Sequence, residues 1–407
     1  MRIVCVGGGP AALYFAICAK RDDAGHDITV REQDPPGATY GWGVVCHDRL
    51  LDMLYYTDRE SAQEIRQRST LWQEQEVHLP GSRPGYLPGY GFSVPRTGLL
   101  DALRTRADAL GVRVTQDDPV PAGALHDNTF AGADLVVVAD GARSRLRDHD
   151  PSRYGTTVTT GRNPYIWLGT RKQFAAFTFA FEHTTAGWIW CYGYPTSDGV
   201  STFIVECTPE TFTGLGLDVL PHADGIAVLQ RIFADVLGGA PLLSNSRGRA
   251  ARWQRFLEVR NTTWVADNTV LLGDAAHTTH FTMGQGTSLA MTDALMLASA
   301  IAEHPTIGSA LGWFDDRGRE ALANTQAGAR TGAAWFERVD HYLDRDPMEF
   351  AYALAHRHGD QPPWRFQLHR ATQLAAFRRP RRALHTGRRQ WRALRRGEAV
   401  PARRPRV

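Results

Sequence analysis

The sequence predicts an α/β protein: a Rossmann-type nucleotide-binding domain, interrupted by a mainly antiparallel β-sheet domain and followed by a C-terminal helical region. Three observations carry this. A glycine-rich turn, Gly7-Gly8-Gly9-Pro10-Ala11-Ala12, sits between an apolar run, Ile3 to Val6, and a breaker-poor segment, Ala11 to Lys20. Two later apolar runs end in turn-forming pairs, Leu135 to Ala139 before Asp140-Gly141 and Thr269 to Leu272 before Gly273-Asp274. Between them, Phe177 to Phe181, Trp188 to Tyr192 and Thr202 to Glu206 are short runs of aromatic and β-branched residues joined by polar turns, the pattern of antiparallel sheet.

The first strand, turn and helix supply the context that a G-x-G-x-x-G/A fingerprint requires. Gly7 makes the turn, Gly9 lets the backbone approach a pyrophosphate, and Ala12 is small enough for helix and strand to pack closely. Pro10 and Ala11 open the helix, whose free N–H groups and dipole favour phosphate. A second strand, Ile28 to Val30, leads to Glu32 and Gln33, about twenty residues on, where a carboxylate can accept from a ribose hydroxyl. The site therefore favours an adenosine lacking a 2′-phosphate. A glycine-rich turn without a ligand is the plain alternative for the fingerprint taken alone.

Next come Gly41-Trp42-Gly43-Val44-Val45 and a helical spacing of Leu50, Leu51 and Leu54. Pro80 to Gly91, dense in Pro, Gly and Tyr, reads as loop. Leu99, Leu100, Leu103, Ala107 and Leu110 recur at three and four, an amphipathic helix, and Val112 to Val114 is a short strand. Arg96, just before that helix, is either a surface residue or a pyrophosphate clamp. Asp140 stands where α/β proteins hold ligands, although a plain β-turn uses the same Asp-Gly pair. Asp274 is suited to accept from ligand hydroxyls. Gly284, Gly286 and Thr287 start a helix whose N-terminus can come close to an anionic ring. These elements give a discontinuous nucleotide-binding domain over 1–75, 92–160 and 265–335. The substrate domain is then 76–91 and 161–264, and 336–407 is a helical region with an Arg-rich tail.

Bulk properties suit a globular enzyme of two domains or one large interleaved pair: 407 residues with 43% apolar side chains. No run approaches the roughly eighteen consecutive apolar residues of a membrane span. The first strand begins at Arg2, which leaves no room for a signal peptide, so the expected compartment is the cytoplasm. Cys5, Cys18, Cys46, Cys191 and Cys207 contain no CxxC pair, which argues against a zinc site or a disulfide framework and for buried thiols. No metal is expected. The net charge of +3 conceals an asymmetry: Arg378 to Val407 holds twelve Arg and one acid, leaving the rest of the chain at −8. Apart from Trp391 the tail lacks interleaved aromatics, so nucleic acid is not expected and a solvated terminus is the simpler account.

In this order the motifs resemble the single-component FAD-dependent aromatic monooxygenases, of which p-hydroxybenzoate hydroxylase is the best known. The family pattern combines the fingerprint, a DGxxSxxR motif (here Asp140-Gly141-Ala142-Arg143-Ser144-Arg145-Leu146-Arg147) and the Gly-Asp motif. Further segments, Gly41 to Val45, Tyr165 to Thr170, Ser201 to Glu206, His280 to Gly284 and Trp335-Phe336-Glu337, are similar to a subgroup. That subgroup includes salicylyl-CoA 5-hydroxylase, 2-aminobenzoyl-CoA monooxygenase and the tryptophan hydroxylase of violacein biosynthesis. The chain departs from the wider family in having His280-Phe281-Thr282 where a Pro is usual. It departs from the subgroup in Trp190-Cys191-Tyr192, where relatives tend to read His-Ala-Tyr.

The resemblance implies FAD as cofactor, NADPH or NADH as transient reductant, and O2. It implies a flavin C4a-hydroperoxide that hydroxylates an electron-rich aromatic ring while water is excluded. The substrate implied is a hydroxy- or aminobenzoyl acid held as a CoA or carrier-protein thioester, with a free tryptophan or indole as the alternative. His47, His280 and Tyr192 are candidates to take or orient a substrate proton, although for each a packing role is the plainer reading. His277 fits a structural role within its motif. Trp190, Phe281 and Thr282 are expected to line the substrate pocket. A halogenase is disfavoured because Cys191, Tyr192 and Gly193 break the W-x-W-x-I-P pattern that Trp188 begins, and because Lys20 and Lys172 are poorly placed. A catalytically silent flavoprotein is the rival of another class.

Overall fold

Strands that read as unbroken apolar runs need cover on both faces, and β1 (Arg2–Val6) lies inside such a sheet. The computed structural model describes residues 1–38, 41–343, 345–357 and 375–398. After β1 come β2 (Asp27–Arg31), β3 (Gly43–Cys46), β4 (Thr70–His78), β5 (Gly85–Pro95), β6 (Arg113–Thr115) and β7 (Leu135–Val138). The long strands β8 (Thr157–Thr170), β9 (Phe177–Thr184), β10 (Gly187–Pro195) and β11 (Ser201–Cys207) follow. Shorter ones complete the set: β12 (Leu242–Leu243), β13 (Asn245–Ser246), β14 (Arg249–Ala250), β15 (Gln254–Arg260), β16 (Val265–Ala266) and β17 (Thr269–Leu271). The first sheet has the order β16-β17-β7-β1-β2-β6 and is parallel except at β16. The second runs β12-β8-β11-β10-β9-β4-β5-β3, with β15 along β8, and is antiparallel except where β4 meets β9.

The helix Pro10–Asp22 begins with Pro and is buried continuously from Ala11 to Ala19, which fixes it under the first sheet. It meets the helix Gly286–Glu303 at Gly273, where an added Cβ would come within 3.0 Å of the Ala11 Cβ and 3.2 Å of the Ala290 Cβ. Both helices therefore open toward the same trough. Neither N-terminus carries a side-chain cap or an acidic residue in its first turn. Their leading N–H groups are left for another acceptor.

Two expectations are corrected. Pro80 to Gly91 is not loop throughout, because Gly85–Pro95 pairs with both β3 and β4. Its glycines serve close packing and irregularity instead of chain reversal. A Cβ at Gly91 would overlap the Trp72 indole, and Gly89 (φ 141°) lies where the β4–β5 register shifts around Glu74. Residues 43–46 and 70–75, assigned from sequence to the nucleotide-binding part, likewise belong to the second sheet.

The Arg-rich tail is also not simply solvated where it is described. The helix Ala375–Arg396 lies against the acidic body, and Arg396, only 7% exposed, pairs with Asp48 at 2.9 Å and Asp52 at 2.8 Å. Arg392 reaches the same two carboxylates, and Arg382 reaches Glu74 at 2.6 Å. Residues 399–407 of the tail lie outside the described residues. Asp48 and Asp52 belong to the helix Asp48–Thr57, for which His47 is the N-cap, so the tail props an element of the site. Removing Arg396 takes the close cation from the buried Asp48 carboxylate, leaving it the Tyr90 hydroxyl and the more distant Arg392. Arg396→Ala is expected to cost about 3 kcal/mol in denaturant unfolding, against a few tenths for Arg395→Ala, whose side chain is exposed.

All five cysteines are buried and unpaired. Among the described residues no helix is long and apolar enough to cross a membrane.

Candidate active site

Two adjoining cavities share Arg96 and Arg143 and form one trough across the carboxyl ends of β1 and β7. The first, about 200 Å³, is walled by Gly7, Gly9, Glu32, Gln33 and Asp140. Gly7 (φ 101°) is required there, since a Cβ would stand 2.7 Å from the Ala139 carbonyl carbon. Gly9 differs: a Cβ would meet no protein atom within 4 Å, so it would fill the space above the helix N-terminus. Glu32 accepts from the Gly8 N–H at 2.6 Å and the Asp34 N–H at 2.8 Å, holding the turn while its remaining lone pairs face the cavity. Asp140 accepts from the Arg145 N–H at 3.0 Å, but among the described residues its buried Oδ1 has no partner. Burial raises its pKa. Arg147 ties this motif to the Gly-Asp loop, its guanidinium donating to the carbonyls of Ala142 at 2.8 Å and Ala275 at 2.9 Å.

An uncapped helix start, open space at Gly9 and an orphaned acceptor at Asp140 fit a dinucleotide. The residues suited to its pyrophosphate are Gly7, Gly9, Pro10, Ala11, Ala12 and Arg96, with Glu32 at the ribose end. At the far end of the trough, Asp274, Gly284, Gly286 and Thr287 line the second cavity. Asp274 is ringed by protein, which raises its pKa, yet its carboxylate is open to the lumen. A Cβ at Gly286 would meet nothing within 4 Å, so a flat ring system can approach the helix start.

This second cavity, about 320 Å³, is an aromatic chamber under the second sheet. Tyr165 and Tyr192 flank Phe281, at 4.5 and 5.8 Å between ring centroids, and Phe177 stacks on Tyr194 at 5.3 Å. Phe281, Thr282, Tyr192 and His47 all line it. His47 lies 3.9 Å from the point where a Cβ on Gly284 would sit. Burial lowers its pKa, opposed by Asp48, which favours the neutral imidazole.

Two predicted residues lie elsewhere. Trp190 is fully buried behind the chamber, between Phe181 and Phe336, and donates its Nε1–H to the Tyr192 hydroxyl at 2.9 Å. The helix Ile307–Phe336 covers it, which strand alternation alone does not reveal. His280 turns away from the chamber into a third cavity, and its Nδ1 hydrogen-bonds Thr282 Oγ1 at 2.8 Å. Burial, aided by Arg357, lowers its pKa to about 3, too weak a base for proton abstraction near neutrality. His277 pairs with Asp293 at 2.8 Å inside the core, a structural contact.

Sequence reasoning missed two groups. Glu206 is buried on β11, where it accepts from the Tyr192 hydroxyl at 2.6 Å and the Asn163 amide at 2.8 Å. Burial pushes its carboxyl up to about 7, although hydrogen bonds from Tyr192, Asn163 and Trp190 work the other way. A glutamate ending the apolar run Ser201 to Val205 was its signal. Arg357 lines the chamber and donates to the carbonyls of Thr282 and Leu354, at 2.8 and 2.7 Å. Among the described residues its buried Nε has no partner, and burial lowers its pKa to about 10. It remains a cation aimed at an aromatic enclosure. No local motif marks it.

A profile described as FAD binding domain matches residues 126–313. The chain is 38% identical over 369 residues to 3-hydroxy-4-methyl-anthranilyl-[aryl-carrier protein] 5-monooxygenase of Streptosporangium sibiricum, covering 90% of this chain and 96% of that one. It is 34% identical over 364 residues to salicyloyl-CoA 5-hydroxylase of a Streptomyces species, covering 86% of this chain and 69% of that one. Among solved structures, p-nitrophenol 4-monooxygenase from Pseudomonas putida superposes with a TM-score of 0.66 at 16% identity, over 91% of this chain and 96% of that one, a likeness of fold.

Proposed function

Because the chain belongs to the FAD-dependent aromatic monooxygenases, we propose that it hydroxylates a hydroxy- or aminobenzoyl acid held as a thioester of a carrier protein or of coenzyme A. The observation that carries this reading is the aromatic chamber at the Gly286 helix start, whose wall includes a tyrosine hydrogen-bonded to a buried glutamate. Bound along the trough from Gly9 to Asp274, FAD would supply the redox chemistry, using two electrons from NADPH or NADH and O2, with one oxygen atom going to the ring and the other to water. The chain's own residues do the rest. Phe281, Phe177 and Tyr165 stack against a flat guest and exclude water. Arg357 donates to its carbonyl or ring oxygen. Proton removal makes the ring more electron-rich: the substrate hydroxyl or amine gives its proton to Tyr192 Oη as the Tyr192 proton passes to Glu206 Oε2. His47, also on the chamber wall, is a further hydrogen-bond partner for the guest. Five unpaired thiols suit a reducing cytoplasm.

The test is substrate-stimulated NAD(P)H oxidation with mass spectrometry of products. Salicyl, anthranilyl and hydroxyanthranilyl thioesters are compared with the free acids and tryptophan. A thioester is expected to raise oxidation at least tenfold and to gain one oxygen atom. Absence of stimulation by every phenol, aniline and indole, free or tethered, would leave a silent flavoprotein.

A further inference from the structure

The third cavity, about 290 Å³, runs inward between β8, β15 and the helix Ile307–Phe336. At its outer end stand Thr159, Thr160 and Arg330, all solvent-exposed. At its inner end are Phe256, Thr278 and Thr279, and the same three residues wall the aromatic chamber. Only side-chain thickness separates the two. Thr279 is 8% exposed, and its buried hydroxyl has no partner among the described residues. An unsatisfied polar group at the junction of two cavities is costly unless something hydrogen-bonds to it. The helix side is kept open by Ala333 and Ala334.

The chemistry of the walls narrows the guest. Among the described residues Arg330 is the only Arg or Lys lining the cavity and is already paired with Glu258 at 3.4 Å, while Glu337 adds a second carboxylate. A pyrophosphate would be repelled here, so neither the reductant nor the nucleotide end of coenzyme A fits. What remains is neutral and suited to amides: the Thr279 hydroxyl, the Gln326 carboxamide and the His280 imidazole. The volume lies at the low end of ligand pockets, near 300 Å³, right for a narrow chain. Resting on the thioester reading above, we propose that this cavity receives the amide-bearing pantetheine arm of the substrate. The arm passes between Thr160 and Ala333 and delivers the aryl group past Phe256 to the chamber, while the carrier or nucleotide stays outside.

The experiment uses the FAD-loaded full chain and one aryl group, presented as its pantetheine thioester and as its methyl thioester. The pantetheine form is expected to have at least tenfold higher kcat/KM. Ala333→Trp, which fills the cavity, is expected to erase that preference. Gln326→Trp, two turns earlier on the same helix, serves if Ala333→Trp loses FAD. Equal kcat/KM for both thioesters in the wild type, or a preference that survives in a stable plugged variant, overturns the proposal while leaving aromatic hydroxylation standing. Turnover of neither thioester, nor of any free aromatic, removes the functional reading and this one with it.

Discussion

Glu206→Gln is expected to lower hydroxylation at pH 8 by about 100-fold, the scale of a lost proton acceptor, while FAD content and substrate KM change little. The amide is isosteric and can still meet Tyr192 and Asn163, so the chamber keeps its shape. What it cannot do is take a proton. In the wild type the carboxyl, held near 7, is protonated and idle below that pH and accepting above it, so turnover should rise through about pH 7. The variant should lose this limb, and Tyr192→Phe should lose it too. Stability follows with a definite sign. An acid whose folded pKa lies above its ordinary 4.5 binds more protons folded than unfolded, so folding is favoured below 4.5 and weakened as pH climbs to about 7. That loss is about 3 kcal/mol and should be absent in the glutamine variant. An unchanged pH limb in both variants would reduce Glu206 to a packing group.

The second large effect lies at the other end of the trough. Gly7→Ala is expected to yield colourless protein destabilised by about 3 kcal/mol, because its φ of 101° is strained for any side chain and its Cβ would press on the Ala139–Asp140 backbone. Gly9→Ala provides the contrast. Its Cβ meets no protein atom, so thermal stability of the apoprotein should hold while FAD affinity falls 10- to 100-fold. Fluorescence titration with FAD and denaturant unfolding separate the two. If both variants bind FAD as the wild type does, the turn is not the pyrophosphate cradle.

Short-range patterns made much of this legible. Gly7 to Ala12, Asp140-Gly141 and Gly273-Asp274 each pair a buried strand with a turn at its carboxyl end, and parallel pairing of β1, β7 and β17 brings all three to one edge. The aromatic runs of β9, β10 and β11 read as antiparallel sheet because alternation and turns are local. Gly85–Pro95 misled because glycine that makes room for an indole looks, in sequence, like glycine that reverses the chain.

The sequence by itself determined the nucleotide fingerprint, the sheet types and the acidic body with its basic tail, since each is written in neighbouring residues. Tertiary structure alone decided which side chains meet. It covered Trp190 with Phe336, turned His280 away from the chamber, and joined Glu206 to Tyr192 across adjacent strands. It also brought Arg357 to the aromatic enclosure and Arg396 to Asp48, partners more than 300 residues away for the latter. Burial and pKa are properties of what surrounds a residue in space, and spacing along the chain does not encode them.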